Sequence, residues 1–193
     1  EWLADTIRFC TLRMQGGSLV LWTSYADMEA VARAIGEDLQ EAGRRLIIQG
    51  RHGSRRTLQR AFAGDGNAIL FGTDTFWTGI DVPGPALSQV IITRLPFENP
   101  SHPVAEARAE WLTHRGMSSF FHQTLPEAVL RFRQGIGRLI RKADDCGTVT
   151  VLDSRVLHKP YGKRFAAVLP NPGFFRFNRG NRDAVFRPLE ANT

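Results

Sequence analysis

Five short apolar runs, none long enough to be a globular helix, constrain this chain more than anything else in it. They are Ser18–Thr23 (SLVLWT), Leu46–Gln49, Asn67–Phe71 (NAILF), Leu87–Thr93 (LSQVIIT) and Thr148–Asp153 (TVTVLD). A near-continuous apolar run of this length suits a strand covered on both faces. Segments with helical spacing lie between them. Trp2–Met14 places Trp2, Leu3, Ile7, Cys10 and Met14 on one side. Tyr25–Ala42 repeats Met28, Val31, Ala32, Ile35 and Leu39 at three and four and stops at Gly43. Ser54–Ala63 reads as a helix with Ser54 as N-cap, Val104–Arg115 and Glu127–Lys142 as helices, and Tyr161–Leu169 as a short one. Gly72–Pro85 and Arg94–Pro103 read as Gly- and Pro-rich connections. Strands alternating with helices predict an α/β fold, a three-layer α/β/α sandwich on a mostly parallel central sheet. In such sheets ligands bind outside the carboxyl ends of the strands, so the loops after Thr23, Gln49, Phe71 and Thr93 are the first places for a site.

The 193 residues and 21.6 kDa fit one large domain. Residues 1–193 are expected to form one unit with its core at about 17–169 and a tail at 170–193 that shows no period. Hydrophobic residues at 42% and charged residues at 23% are globular values. No apolar run approaches the roughly 18 residues of a membrane span; no membrane partner and a cytoplasmic location are expected. The chain opens on Glu1 without a signal peptide, and an upstream segment is expected. Cys10 and Cys146 supply neither a disulfide framework nor the four thiolates of an iron–sulfur cluster, and read as buried small hydrophobes. His52, His102, His114, His122 and His158 stand at no metal-ligand spacing, so no metal site is expected. Net charge is +6, carried by 25 basic residues of which 22 are Arg. Residues 1–96 hold 10 basic and 10 acidic side chains, and residues 97–193 hold 15 and 9. A one-sided excess of this kind suits a polyanion, or is a solvated face in an Arg-rich chain.

Three segments carry candidate chemistry. If Glu127–Lys142 is helical throughout, then at 100° per residue Gln134, Arg138 and Arg141 share a stripe about 60° wide, opposite Phe132, Ile136, Leu139 and Ile140. Two guanidinium forks and one amide suit a terminal phosphate and its attacking water; salt-bridged surface arginines are the plainer reading. Gly135 and Gly137 each cost roughly 1 kcal/mol in a helix, tolerable where a backbone or ligand comes close. The loop GTDTFWTGIDVPGP starts at the ligand end of the sheet. Gly79 allows close backbone approach, Asp81 offers an acceptor, and Thr73 and Thr75 offer hydroxyls; Phe76 and Trp77 otherwise read as a buried aromatic pair. Thr23-Ser24-Tyr25 ends a strand and opens a helix, where free N–H groups and hydroxyls can hold an anion or Ser24 can be an ordinary cap. No GxxxxGK[ST] occurs, and no Asp-Glu pair ends a strand, so the phosphate cradle and magnesium ligand of an NTPase are missing.

In the order TSY, QG, GTDTFWTGIDVPG, QGIGRLIR, VLDSR and YGKR, these stretches resemble the second motor domain of superfamily 2 DNA helicases, and within them the DinG/XPD branch. Thr23-Ser24-Tyr25 matches motif IV and Gln49-Gly50 the short motif after it. Phe76–Pro83 matches motif V, and Gln134, Gly137, Arg138 and Arg141 match motif VI. Arg94–Phe97 and Tyr161–Arg164 match stretches typical of bacterial DinG-like proteins. The resemblance implies a RecA-like, P-loop NTPase-type helicase C-terminal domain that closes across ATP on a first RecA-like domain and moves 5′ to 3′ on single-stranded DNA. It implies arginine fingers at Arg138 and Arg141, Gln134 facing the γ-phosphate, and Gly79 and Asp81 in the nucleotide pocket. Thr23, Ser24, Tyr25 and Thr75 would hold the DNA backbone.

ATP and Mg2+ would be held mainly by that first domain, absent here together with any iron–sulfur, arch or exonuclease part. The chain alone is therefore expected to be an inactive half of an ATP hydrolase. A RecA-like nucleic-acid-binding module without ATPase activity and a nucleotide- or sugar-binding transferase domain with similar β/α order are the alternatives.

Overall fold

A computed structural model describes residues 1–73, 75–79, 87–99, 101–137, 139, 147–169, 175–178 and 180–182. The five apolar runs form five strands: β1 (Gly17–Leu21), β2 (Leu46–Ile48), β3 (Ile69–Gly72), β4 (Leu87–Ile92) and β5 (Thr148–Val151). Every pairing is parallel and the order is β2-β3-β1-β4-β5. Leu19 stands beside Leu70 on one flank and Val90 on the other, and Val90 beside Val149. Alternate residues feed two cores. Leu19, Leu21, Leu70, Val90 and Ile92 pack with Leu58, Phe62, Phe76, Trp77, Phe132 and Phe165. Val20, Trp22, Ile69, Phe71 and Ile91 pack with Ile7, Cys10, Met28, Ile35 and Leu39. The sheet is thus wholly parallel and enclosed by helices on both faces, as the apolar runs require.

Helices α1 (Trp2–Arg13) and α2 (Tyr25–Glu41) cover one face; α3 (Arg55–Gly64), α4 (Thr75–Gly79), α6 (Leu125–Ile136) and α8 (Gly162–Ala166) cover the other. Helix α5 (Pro103–His114) buries only Leu112, and α7 (Arg155–His158) is one turn. Helix α2 buries Met28, Val31, Ala32, Ile35 and Leu39, the five residues its spacing selects. Ser54 caps α3 by accepting the Thr57 amide.

Three segments differ from expectation. The connection Gly72–Pro85 contains α4. Five residues do not nucleate a helix by propensity; this one is anchored by Phe76 and Trp77, both buried, with the Phe76 amide donating to the Thr73 carbonyl at 2.7 Å. Glycine is required at position 72 because a Cβ there would overlap the Phe76 ring. The helix expected over Glu127–Lys142 starts at Leu125, continues a π-helical turn at Phe120–Thr124, and ends at Ile136 with Gly137 as C-cap. Arg138 and Arg141, the other two residues of the expected Gln134 stripe, lie outside the described residues. Two glycines among three residues, at positions 135 and 137, weaken the helix where it stops. The last expected helix is shorter than read, Gly162–Ala166.

At the amino end of the sheet, buried Arg44 gathers the chain. Its Nε donates to the Asn67 carbonyl (2.8 Å), its Nη1 to the carbonyls of Met14 (2.6 Å) and Thr11, and its Nη2 to the Gly16 carbonyl (2.8 Å) and Ser18 Oγ (3.3 Å). One guanidinium thereby satisfies carbonyls at the end of α1 and at the entries to β1 and β3. Of the tail, Phe177 packs on the α1–α2 side, and Arg182 meets Asp5 at 2.7 Å and lies 4.4 Å from the Phe9 ring centroid.

Candidate functional site

The connectivity dictates where a crevice opens. From β1 the chain crosses one face by α2 to β2, whereas from β3 it passes by α4 on the other face and across β1 to β4. The loops leaving β1 and β3 therefore part in opposite directions, and the space between them is the usual ligand position of an open α/β sheet. Thr23, Ser24 and Tyr25 stand there, Thr23 and Tyr25 exposed. Ser24 Oγ accepts the Asp27 amide at 3.2 Å, so the N-cap reading of Ser24 is realised. Asp27 in turn meets Arg94 at 3.1 Å.

Trp77 joins the elements that carry the candidate residues. Its indole Nε1 donates to the Trp22 carbonyl at 3.0 Å, immediately before Thr23. Its ring also lies against α6: a Cβ at Gly135 would stand 3.0 Å from the Trp77 ring and 2.9 Å from Leu21. The close approach expected at Gly135 is thus met by Leu21 and Trp77, side chains of the fold itself. Thr75, exposed, opens α4, and Gly79 is its last residue. Gln134, half-buried, precedes Gly135 on α6. Trp77 thereby ties α4, which holds Thr75 and Gly79, to the residue before Thr23 and to the residue after Gln134. Asp81, Arg138 and Arg141 lie outside the described residues.

Thr73 departs from its expected part. It is only 6% exposed, and its hydroxyl (3.2 Å) and amide (2.7 Å) both donate to Gln49 Oε1. Tyr25, 47% exposed, donates its hydroxyl to the Gln49 carbonyl at 3.0 Å. Gly50 sits at φ 86°, and a Cβ there would meet the Tyr25 hydroxyl. None of this bracket is visible in local periodicity; its one sequence sign is a Gln-Gly pair closing an apolar run.

Asp153 organises the β4–β5 side. Its carboxylate accepts the Leu95 amide (2.9 Å) and the Arg155 amide (3.0 Å), and the Arg155 guanidinium at 2.6 and 3.0 Å. Burial alone would raise its pKa, but these hydrogen bonds to the ionised form outweigh burial and hold it below the ordinary carboxylate value. Arg155 also covers Phe97, whose ring neighbours Phe120, Tyr161 and Phe165, and Phe165 meets Phe132 of α6 at 5.3 Å. The stretches Arg94–Phe97 and Tyr161–Arg164 thus form part of the aromatic bed under α6. Cys10 is buried, its thiol pushed up to about 12 by desolvation, which the charge of Arg182 partly offsets. Among the described residues no group of three His, Cys, Asp or Glu could hold a metal ion, and no helix is long and apolar enough to cross a membrane.

Known proteins resemble this chain in sequence and in fold. The 3′-5′ exonuclease DinG of Bacillus subtilis (strain 168) is 41% identical over 174 residues, 88% of this chain and 19% of that protein. The ATP-dependent DNA helicase YoaA of Escherichia coli (strain K12) is 41% identical over 168 residues, 87% of this chain and 26% of that protein. The chain thus spans about a fifth to a quarter of the length of these curated relatives. An apo XPD structure superposes with a TM-score of 0.65 at 18% identity, covering 85% of this chain and 33% of that one, which supports the RecA-like fold. The model of the helicase C-terminal domain matches residues 7–172, and this chain belongs to that family.

Proposed function

We propose that this chain is the second motor domain of a DinG-like, ATP-dependent 5′–3′ DNA helicase. The observation that carries the reading is the meeting around Trp77 of the three elements that bear the motif residues, at the switch point of a domain in the helicase C-terminal family. On this reading Arg138 and Arg141 are arginine fingers and Gln134 orients the attacking water. Gly79 and Asp81 border the nucleotide, and Thr23, Ser24, Tyr25 and Thr75 hold the backbone of single-stranded DNA. Burial of Thr73 leaves Thr75 as the exposed hydroxyl of that pair. The phosphate cradle and the magnesium carboxylates belong to the first RecA-like domain of the same protein, and the setting is the cytoplasm.

The test is steady-state ATPase of the intact protein with Arg138→Ala and Arg138→Lys beside a thermal melt. An arginine finger contributes on the order of 10³ or more to phosphoryl transfer. Both variants should lose roughly that factor while still melting near the parent temperature, and Lys should not rescue because it lacks the planar fork. Near-parental turnover in a folded Arg138→Ala protein would sink the reading. A second reading is a nucleic-acid-binding module without ATPase, in keeping with the name of the Bacillus relative, which gives an exonuclease and no ATP dependence. That reading requires DNA binding indifferent to both arginine substitutions and no DNA-stimulated ATPase in the intact protein.

A further inference from the structure

We propose that Gln49 is a positioning residue that couples the Tyr25 side of the crevice to the segment from Thr73 to Gly79. The inference rests on the helicase reading above and adds to it a residue with no place in the nucleotide or DNA contacts proposed there.

Gln49 follows β2 directly, and its amide is tied to the Phe71 carbonyl at 3.0 Å, so its backbone is held by the sheet. Its two polar ends face different loops. The main-chain carbonyl accepts from the exposed Tyr25 hydroxyl at the start of α2. The side-chain Oε1 accepts both donors of Thr73, whose carbonyl in turn holds the Phe76 amide at the start of α4. One residue therefore spans the exits of β1 and β3, the two loops that part in opposite directions at the switch point. Trp77 makes the second tie between these loops through the Trp22 carbonyl. With α4 held at Thr73 and at Trp77, its orientation is referred to the β1 exit at two points, and Gly79 closes that helix. A strand of nucleic acid pressing on Tyr25 thus bears on Gln49, and through Gln49 on the first residues of the α4 segment. Tyr25 touches the main chain of Gln49 and Thr73 touches its side chain. Removing the side-chain oxygen therefore cuts the link to Thr73 and leaves the Tyr25 contact in place. The atom that matters is an acceptor, so a glutamate keeps the link and a methionine of similar length loses it.

The experiment uses the intact protein and its Gln49→Met and Gln49→Glu variants. Three quantities are read: ATPase with and without mixed-sequence single-stranded DNA, DNA affinity, and amide exchange of peptides covering residues 69–79 by mass spectrometry. The expected result for Gln49→Met is DNA-free ATPase within about twofold of the parent and stimulation by DNA reduced about tenfold, in a protein that melts near the parent temperature. DNA should change exchange over 69–79 in the parent and in Gln49→Glu but not in Gln49→Met. Parental stimulation together with a parental exchange response in Gln49→Met would overturn the inference. So would equal losses in Met and Glu, which would show that the acceptor oxygen is irrelevant. A loss of DNA-free and DNA-stimulated turnover in proportion, with a lowered melt, would reduce Gln49 to a structural residue and overturn it too. If the parent itself neither binds DNA nor responds to it, the helicase reading falls and the coupling falls with it. If the parent responds and Gln49→Met responds alike, only the coupling falls.

Discussion

The two ends of the sheet handle polarity in opposite ways. At the amino end a single buried guanidinium, Arg44, closes carbonyls from Thr11 to Asn67 with all its donors used inside the protein. At the carboxyl end the polar groups between β1 and β3 form a thin bracket, in which Tyr25 and Gln49 are still open to solvent on one side. Polarity at the amino end is spent on holding α1 to the strand entries. Polarity at the carboxyl end is left partly available, as a site that must meet a ligand requires. The carboxyl end is itself divided, since Asp153 shuts the β4–β5 side with a buried carboxylate while the β1–β3 side stays open.

The largest expected effect falls on the amino end. Arg44→Met leaves several buried carbonyls without donors, each costing on the order of 1–3 kcal/mol when unsatisfied. A loss of about 3–5 kcal/mol in urea unfolding is expected, and a loss below about 1 kcal/mol would erase the contrast between the two ends. Asp153→Asn should cost less, about 1–3 kcal/mol, because the amide oxygen still accepts one hydrogen bond. Its pH dependence is the sharper readout. The folded pKa of Asp153 lies below its unfolded value, so its contribution is full above about pH 4 and fades as pH falls through the folded value. The stability difference between parent and Asp153→Asn should therefore shrink in acid; a difference constant from pH 7 to pH 2 would remove Asp153 as an ionised anchor. The smallest effect belongs to Tyr25→Phe, within about 0.5 kcal/mol as for exposed sites in general, measured by the same unfolding. A loss above about 2 kcal/mol there would mean that the open bracket is as structural as Arg44.

Legibility from the chain follows range. The strands, helix α2 and the Ser54 cap were readable because their causes lie within a few residues: apolar spacing, a stop at Gly43, a hydroxyl three residues before an amide. Helix α4 was not, since it depends on Phe76 tucking beneath a glycine at the end of β3 and on Trp77 reaching a carbonyl 55 positions earlier. The end of α6 at Ile136 was misplaced because apolar periodicity continues through Leu139 and Ile140 while two glycines act against it. Of the candidate segments, Ser24 was legible as a cap, its hydroxyl three residues before the amide it accepts. Gln49 and Thr73 owe their parts to partners 24 residues away, and Asp153 its hold on β4 to Leu95, 58 residues away, which no local pattern encodes.

The contact of Arg182 with Asp5 and Phe9 has a topological consequence. It sets residues 5 and 182 side by side, with 2.7 Å between charged groups 177 positions apart. Two points far apart in the chain thus meet at one place, a geometry that tolerates circular permutation. Joining residues 5 and 182 through a short linker and reopening the chain at the exposed turn of Gly116 would reorder the elements without crossing any strand of the sheet.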